Sequence, residues 1–188
     1  MLCQFSVKNF KSIRDEIIFD MQAAAISEHT DCVIKDADAQ LFLPVSAVYG
    51  PNGGGKSNVL EAIQTLGTMV LRPVYATKQN DGADYKFNRF PVKPFMFSEK
   101  GKNNPTEFEI FFRTRTAEYK YTLHIKDGVV VNESLDRMKL ETNRKSALFL
   151  RKGDEINLKG VFAKLKISEG LSRNLPLLSA LPSFTEVV

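Results

Sequence analysis

The chain has 188 residues, 43% of them hydrophobic and 26% charged, with 14 Phe and no Trp. That is enough apolar material for one sizeable core, which excludes an intrinsically disordered chain. A formal charge of +4 is a slight lysine excess, consistent with a solvated surface and too weak to select a nucleic-acid or membrane partner. Two cysteines exclude a disulfide framework: Cys3 reads as core, and both read as reduced thiols. No run of about 18 apolar residues crosses the sequence, so no membrane partner is expected and the expected location is cytoplasmic.

Residues 2–10 alternate Cys3, Phe5 and Val7 against polar neighbours, the period of a half-buried strand. Residues 11–16 are turn-like, and residues 17–21 read as a second strand forming a hairpin with the first. Residues 22–40 give no pattern. Residues 41–49 are apolar enough for a buried strand, beginning at Val45 because Pro44 cannot donate to a ladder. Beyond a Gly-rich segment, Val59, Leu60, Ile63, Leu66 and Val70 recur at helical spacing, predicting a helix from about Ser57 to Leu71 that stops before Pro73.

The second half reads as an antiparallel meander with strands at 91–97, 106–115, 119–125 and 129–134. Asp127-Gly128 is a two-residue hairpin signal. A further turn at 152–154 joins strands at 147–151 and 155–158, and residues 176–181 start a short helix. The phenylalanines of the meander (Phe87, Phe90, Phe95, Phe97, Phe108, Phe111, Phe112) are expected in the core rather than as a base-stacking surface. Arg113, Arg115 and Lys120 are expected to be solvated charges on outward strand faces. Lys8, Lys11 and Arg14 could form a basic edge for DNA, and His29 and His124 carry no partner pattern.

The segment Gly50-Pro51-Asn52-Gly53-Gly54-Gly55-Lys56-Ser57 fits Gly-x4-Gly-Lys-Ser. Each fixed position has a mechanical reason. Gly50 and Gly55 permit backbone that a Cβ would obstruct, and Gly53 and Gly54 extend that freedom. The loop amides and the start of the following helix then make an anion-binding concavity. Lys56 is placed for the β- and γ-phosphates, and the Ser57 hydroxyl for Mg²⁺. The pattern therefore predicts ATP and Mg²⁺ as ligands.

With Asn58 and the following Leu60-Glu61-Ala62-Ile63, this block resembles the P-loop of ABC-type head ATPases: the structural-maintenance-of-chromosomes, RecF-type and overcoming-lysogenization-defect groups. Residues 5–13, with Asn9-Phe10-Lys11-Ser12, are similar to the opening strand of those heads, whose equivalent element lies near the nucleotide. The stretch from Pro94 to Phe112, with Tyr119-Lys120-Tyr121, is similar to a bacterial branch associated with antiphage defence. The resemblance implies an α/β P-loop NTPase fold, an ABC-type head lobe I carrying an antiparallel β-meander layer. It implies a nucleotide site made of Gly50, Asn52, Gly53, Gly54, Gly55, Lys56, Ser57 and Asn58, with Lys11 and Ser12 beside it. It also implies homodimerisation of heads through ATP, and a nuclease or other effector as partner, with DNA as a further possible partner.

The sequence departs from that pattern in lacking a Leu-Ser-Gly-Gly signature and an apolar strand ending in Asp-Glu. Asp154-Glu155 follows Arg151-Lys152-Gly153 instead; Gln64 lies inside the P-loop helix, and Gln79 is only a weak candidate for the family's glutamine. Residues 1–188 thus read as an incomplete ATP-binding head domain, expected to bind nucleotide with little or no hydrolysis by itself. A nucleotide-responsive interaction module and a DNA-repair or chromosome-handling head remain the alternatives.

Overall fold

The computed structural model describes residues 1–26, 28–71, 92–165 and 173–181. Its frame is a seven-stranded antiparallel sheet in the order β2-β1-β5-β6-β7-β8-β9. The N-terminal hairpin pairs β1 (Leu2–Lys8) with β2 (Ile17–Asp20). The meander is β5 (Thr106–Arg113), β6 (Ala117–Lys126), β7 (Val129–Lys139), β8 (Lys145–Lys152) and β9 (Glu155–Leu158), and β1 joins it by pairing with β5.

Local sequence explains most of these elements. On β6 the two-residue period is strict: Ala117, Tyr119, Tyr121, Leu123 and Ile125 are buried while the residues between are only partly covered. Asp127 and Gly128 both have positive φ (52° and 73°), the left-handed pair that turns β6 into β7 with the right twist. Gly153, at φ 56°, serves the β8–β9 turn.

Helix α1 (Lys56–Leu71) contributes Val59, Ala62, Leu66 and Met69 to the same core as the sheet residues Phe5, Val7, Phe108 and Leu135. Each such side chain removed from water contributes about 1.5–3 kcal/mol for the larger types. Leu60, expected on this face, is 60% exposed: at 3.6 residues per turn it lies about 100° around from Val59. The short helix α2 (Glu99–Asn103) is capped by Ser98, whose hydroxyl accepts from Gly101 N, and α3 (Leu177–Ala180) packs near α1.

Three expectations are corrected. First, residues 43–49 do not form a buried strand. Strand β4 is only Leu41–Phe42, paired with β3 (Ile34–Lys35), and Val45 and Tyr49 are 76% and 90% exposed. A buried parallel strand needs neighbours, and among the described residues every paired strand is antiparallel and none lies beside 45–49. Second, residues 92–97 form no strand, because their backbone bonds go elsewhere: Lys93 O accepts from Lys11 N, and Phe95 N donates to the Asn9 side chain. Third, the phenylalanines are not uniformly core: Phe108 is 1% exposed, but Phe97 is 87% exposed. Phe87, Phe90 and Gln79 lie outside the described residues.

Candidate functional site

The Gly-rich loop leads directly into α1, whose first residue is Lys56. Gly53 and Gly55 take φ of 79° and 84°, values that side chains resist, so the glycine pattern reflects a real conformational demand. The loop is closed by Gly54 N donating to Pro51 O (3.1 Å), and Asn58 N donates to Gly55 O (2.9 Å). A Cβ on Gly54 would lie 3.0 Å from Pro51 O, so this position too is kept free by the close approach of backbone.

Lys56 folds back over the loop, its ammonium donating to Gly50 O and Pro51 O, both at 2.8 Å. An ammonium has three protons, so one donor remains for an incoming oxygen. Asn52, Gly53 and Ser57 are exposed, with the Ser57 hydroxyl in the first turn of the helix. Unpaired amides, the positive end of a 16-residue helix and one cation converge on an open surface, the arrangement that binds phosphate oxygens.

The N-terminal element meets this loop. Ser12 Oγ accepts from Asn58 Nδ2 at 2.5 Å and stands 3.3 Å from where a Cβ on Gly55 would be. Lys11, with φ 51°, pairs through its ammonium with Glu61 on α1. Both residues thus reach the P-loop helix, Ser12 at the loop itself and Lys11 one turn further along.

Asn9 organises the turn that presents them, a role its place in the sequence does not announce. It is 4% exposed and has φ 56°. Its amide nitrogen donates to the carbonyls of Gly101, Asn104 and Pro105 at 2.9, 2.8 and 3.1 Å. Its side-chain oxygen accepts from Phe95 N (3.0 Å), and its own carbonyl accepts from Thr106 Oγ1 (2.7 Å). Asparagine tolerates the left-handed region and can donate and accept at once, which suits it to this position.

The suggested basic edge is neutralised. Lys8 pairs with Glu107 at 3.3 Å, Lys11 with Glu61, and Arg14 with Asp15 at 2.8 Å. Arg113 is not an outward solvated charge: its side chain is 2% exposed, bonded to Glu118, Asp36, Asp38 and Gln40 and stacked over Phe42. Burial pulls its pKa down, but the hydrogen bonds it donates to Glu118, Asp38 and Asp36 outweigh this and raise it. Two of these carboxylates, Asp36 and Asp38, come from residues 36–40, the span that sequence patterning left blank. Lys120 behaves as expected, half-exposed and paired with Glu109 at 2.9 Å.

A second buried network joins Tyr121, Glu133 and Arg151. Glu133 is fully buried. It accepts from Tyr121 Oη (2.9 Å), Leu177 N (2.7 Å) and Leu178 N (3.0 Å), so it caps α3. Arg151 donates to Gly153 O and Leu175 O at 3.0 and 2.7 Å and lies 3.8 Å from Glu133. Burial lowers the pKa of His124. Among the described residues no group of three or more His, Cys, Asp or Glu could hold a metal ion, and no helix is long and apolar enough to cross a membrane.

A glycine loop with two left-handed glycines, a lysine folded across it and a helix rising from it define a P-loop NTPase. Residues 45–186 match the family described as "AAA domain, putative AbiEii toxin, Type IV TA system". The chain belongs to that family of AAA domains, the match beginning just before the P-loop and running through the meander. No curated protein matches it.

Proposed function

We propose that this chain is the ATP-binding lobe of an ABC/SMC-like ATPase that couples ATP binding and hydrolysis to an antiphage-defence or DNA-processing effector. The observation that carries the reading is the contact between two elements about 40 residues apart in sequence: Ser12 of the N-terminal turn against Gly55 and Asn58 of the P-loop. A P-loop alone says only that phosphate is bound; an N-terminal turn docked on it is what the resemblance to a head ATPase leads one to expect, and it supports this reading. The family's description as a putative toxin of a type IV toxin–antitoxin system agrees with a defence role.

In this reading the loop amides and Lys56 hold the β- and γ-phosphates, and Ser57 supplies a hydroxyl to Mg²⁺. Bound Mg²⁺ neutralises phosphate charge. Lys56 offers its remaining donor to a phosphate oxygen, and Ser12 and Asn58 line the approach to the loop. Among the described residues no carboxylate is bonded to the P-loop, and Glu61 is engaged by Lys11. The group that orients the attacking water then comes from outside these residues, and heads pair through ATP to complete the site.

That arrangement also favours a second reading, in which nucleotide binding alone sets assembly state. Titration of Mg-ATP into the 188-residue chain tests the shared premise. Saturable binding lost in Lys56→Ala is expected, and no binding by the wild-type chain would overturn both readings. Turnover of the isolated chain should stay below roughly 1 s⁻¹, the lower end of competent enzymes. An oligomer size unchanged by nucleotide would remove the second reading.

A further inference from the structure

The end of the sheet formed by the β5–β6 and β7–β8 turns carries a different feature. A cavity of about 490 Å³ opens there, lined among others by Arg115, Thr116, Tyr119, Arg137 and Lys139. Its size lies in the range of small-ligand sites. The register explains how its cations converge. Tyr119 pairs with Arg137 and Ala117 with Lys139, so both basic residues continue the row that bears Leu135 and Glu133 on β7. Where that row should end in apolar side chains, it ends in an arginine and a lysine. Arg115, in the tight β5–β6 turn, adds a third cation.

Charge pairing separates this cluster from several other basic residues. Lys8, Lys11, Arg14, Arg113 and Lys120 each have a carboxylate partner. Among the described residues Arg115, Arg137 and Lys139 make no ion pair, and the buried Nε of Arg137 has no hydrogen-bond partner. A buried donor left unpaired is costly, so the Arg137 guanidinium has donor capacity to spare for an acceptor in the cavity it lines. Two carboxylates also line the cavity. Asp38 is committed to Arg113 at 2.8 Å, which leaves Glu141 on the β7–β8 turn against three cations. Asp36 and Glu118 are likewise bonded to Arg113; cross-strand pairing puts Glu118 on the sheet face opposite Tyr119 and Arg137.

We propose that this cavity is a second anion site, built for a phosphate group, in which the guanidinium groups of Arg115 and Arg137 donate to phosphate oxygens and Lys139 supplies charge. Arginine suits planar, two-point contact with such an anion. The P-loop lies at the opposite end of β1, beside Ser12, so the two sites are separate and this inference does not rest on the nucleotide reading.

The test uses the full chain carrying Lys56→Ala, which disables the P-loop. Inorganic pyrophosphate is titrated calorimetrically, and a fluorescein-labelled single-stranded oligonucleotide is titrated by anisotropy. Saturable pyrophosphate binding in this background, weakened at least tenfold by Arg115→Gln and by Arg137→Gln, is the expected result. Oligonucleotide binding lost in the same variants would identify the phosphate as that of a nucleic acid; oligonucleotide indifference with pyrophosphate binding would identify a small phosphorylated ligand. The proposal is overturned if the Lys56→Ala chain binds neither probe, or if Arg115→Gln, at an exposed turn where folding is not at stake, leaves binding unchanged.

Discussion

The P-loop and the Tyr121–Glu133–Arg151 network are both polar constructions, yet they are built oppositely. The P-loop is eight consecutive residues whose working groups are backbone amides and one lysine, open to solvent. The network joins groups 12 to 45 positions apart and is shut away under α3. One keeps polar groups available for a ligand. The other satisfies polar groups with one another so that burial is tolerable. Binding and stability should therefore separate cleanly when each region is altered.

The largest effect is expected on the buried side. Glu133→Ala leaves Arg151 as a buried charge missing one neighbour and removes the cap of α3, a loss of about 3 kcal/mol or more. At about 2–4 °C per kcal/mol for a domain of this size, the thermal midpoint should drop by roughly 10 °C. Lys56→Ala is the mirror experiment. It removes Mg-ATP binding while shifting stability by no more than about 0.5 kcal/mol, the usual range for exposed positions. A Glu133→Ala chain that melts with the wild type would erase the contrast.

Asn9 lies between the two extremes, because it is buried yet positions the turn that touches the P-loop. Asn9→Ala strands three carbonyls and the Phe95 amide and forces alanine into a left-handed conformation. About 2–3 kcal/mol of stability should be lost. Unlike Glu133→Ala, this change should also weaken Mg-ATP binding, measured at a temperature where the variant is folded. Unchanged affinity would show that the N-terminal turn does not shape the site.

How much could be read from the sequence follows the same division. Helix α1, the Asp127-Gly128 turn and strand β9 are determined by near neighbours, and their limits were predictable. The P-loop was legible because its chemistry sits in the backbone of one short segment. Arg113 was misread as a solvated strand residue, since its partners Asp36 and Asp38 are 77 and 75 positions away in a span without periodicity. The 43–49 segment misled for the converse reason. Its apolar composition promised burial, but composition cannot supply the neighbouring strands that burial requires.

Within the glycines the contrast can be drawn one methyl group at a time. Gly55→Ala places a Cβ at φ 84°, 3.3 Å from Ser12 Oγ. Strain of about 1–3 kcal/mol is expected, together with weaker Mg-ATP binding as Ser12 is displaced. Retained affinity would mean that this contact does not matter to the loop.

Gly67 is the counterpart outside the site. It lies in α1, where an added Cβ meets nothing within 4 Å. A helix-interior glycine costs about 0.8–1 kcal/mol relative to alanine because the unfolded chain is freer, so Gly67→Ala should stabilise by that amount. The change lies about three turns along α1 from the phosphate-binding end. Mg-ATP affinity should therefore stay at the wild-type value while the chemical-denaturation midpoint rises. If Gly67→Ala instead destabilises the chain, the space beside it is filled in solution by a packing partner. Helix α1 would then have a second buried face, and the glycine there would be a contact residue like Gly55.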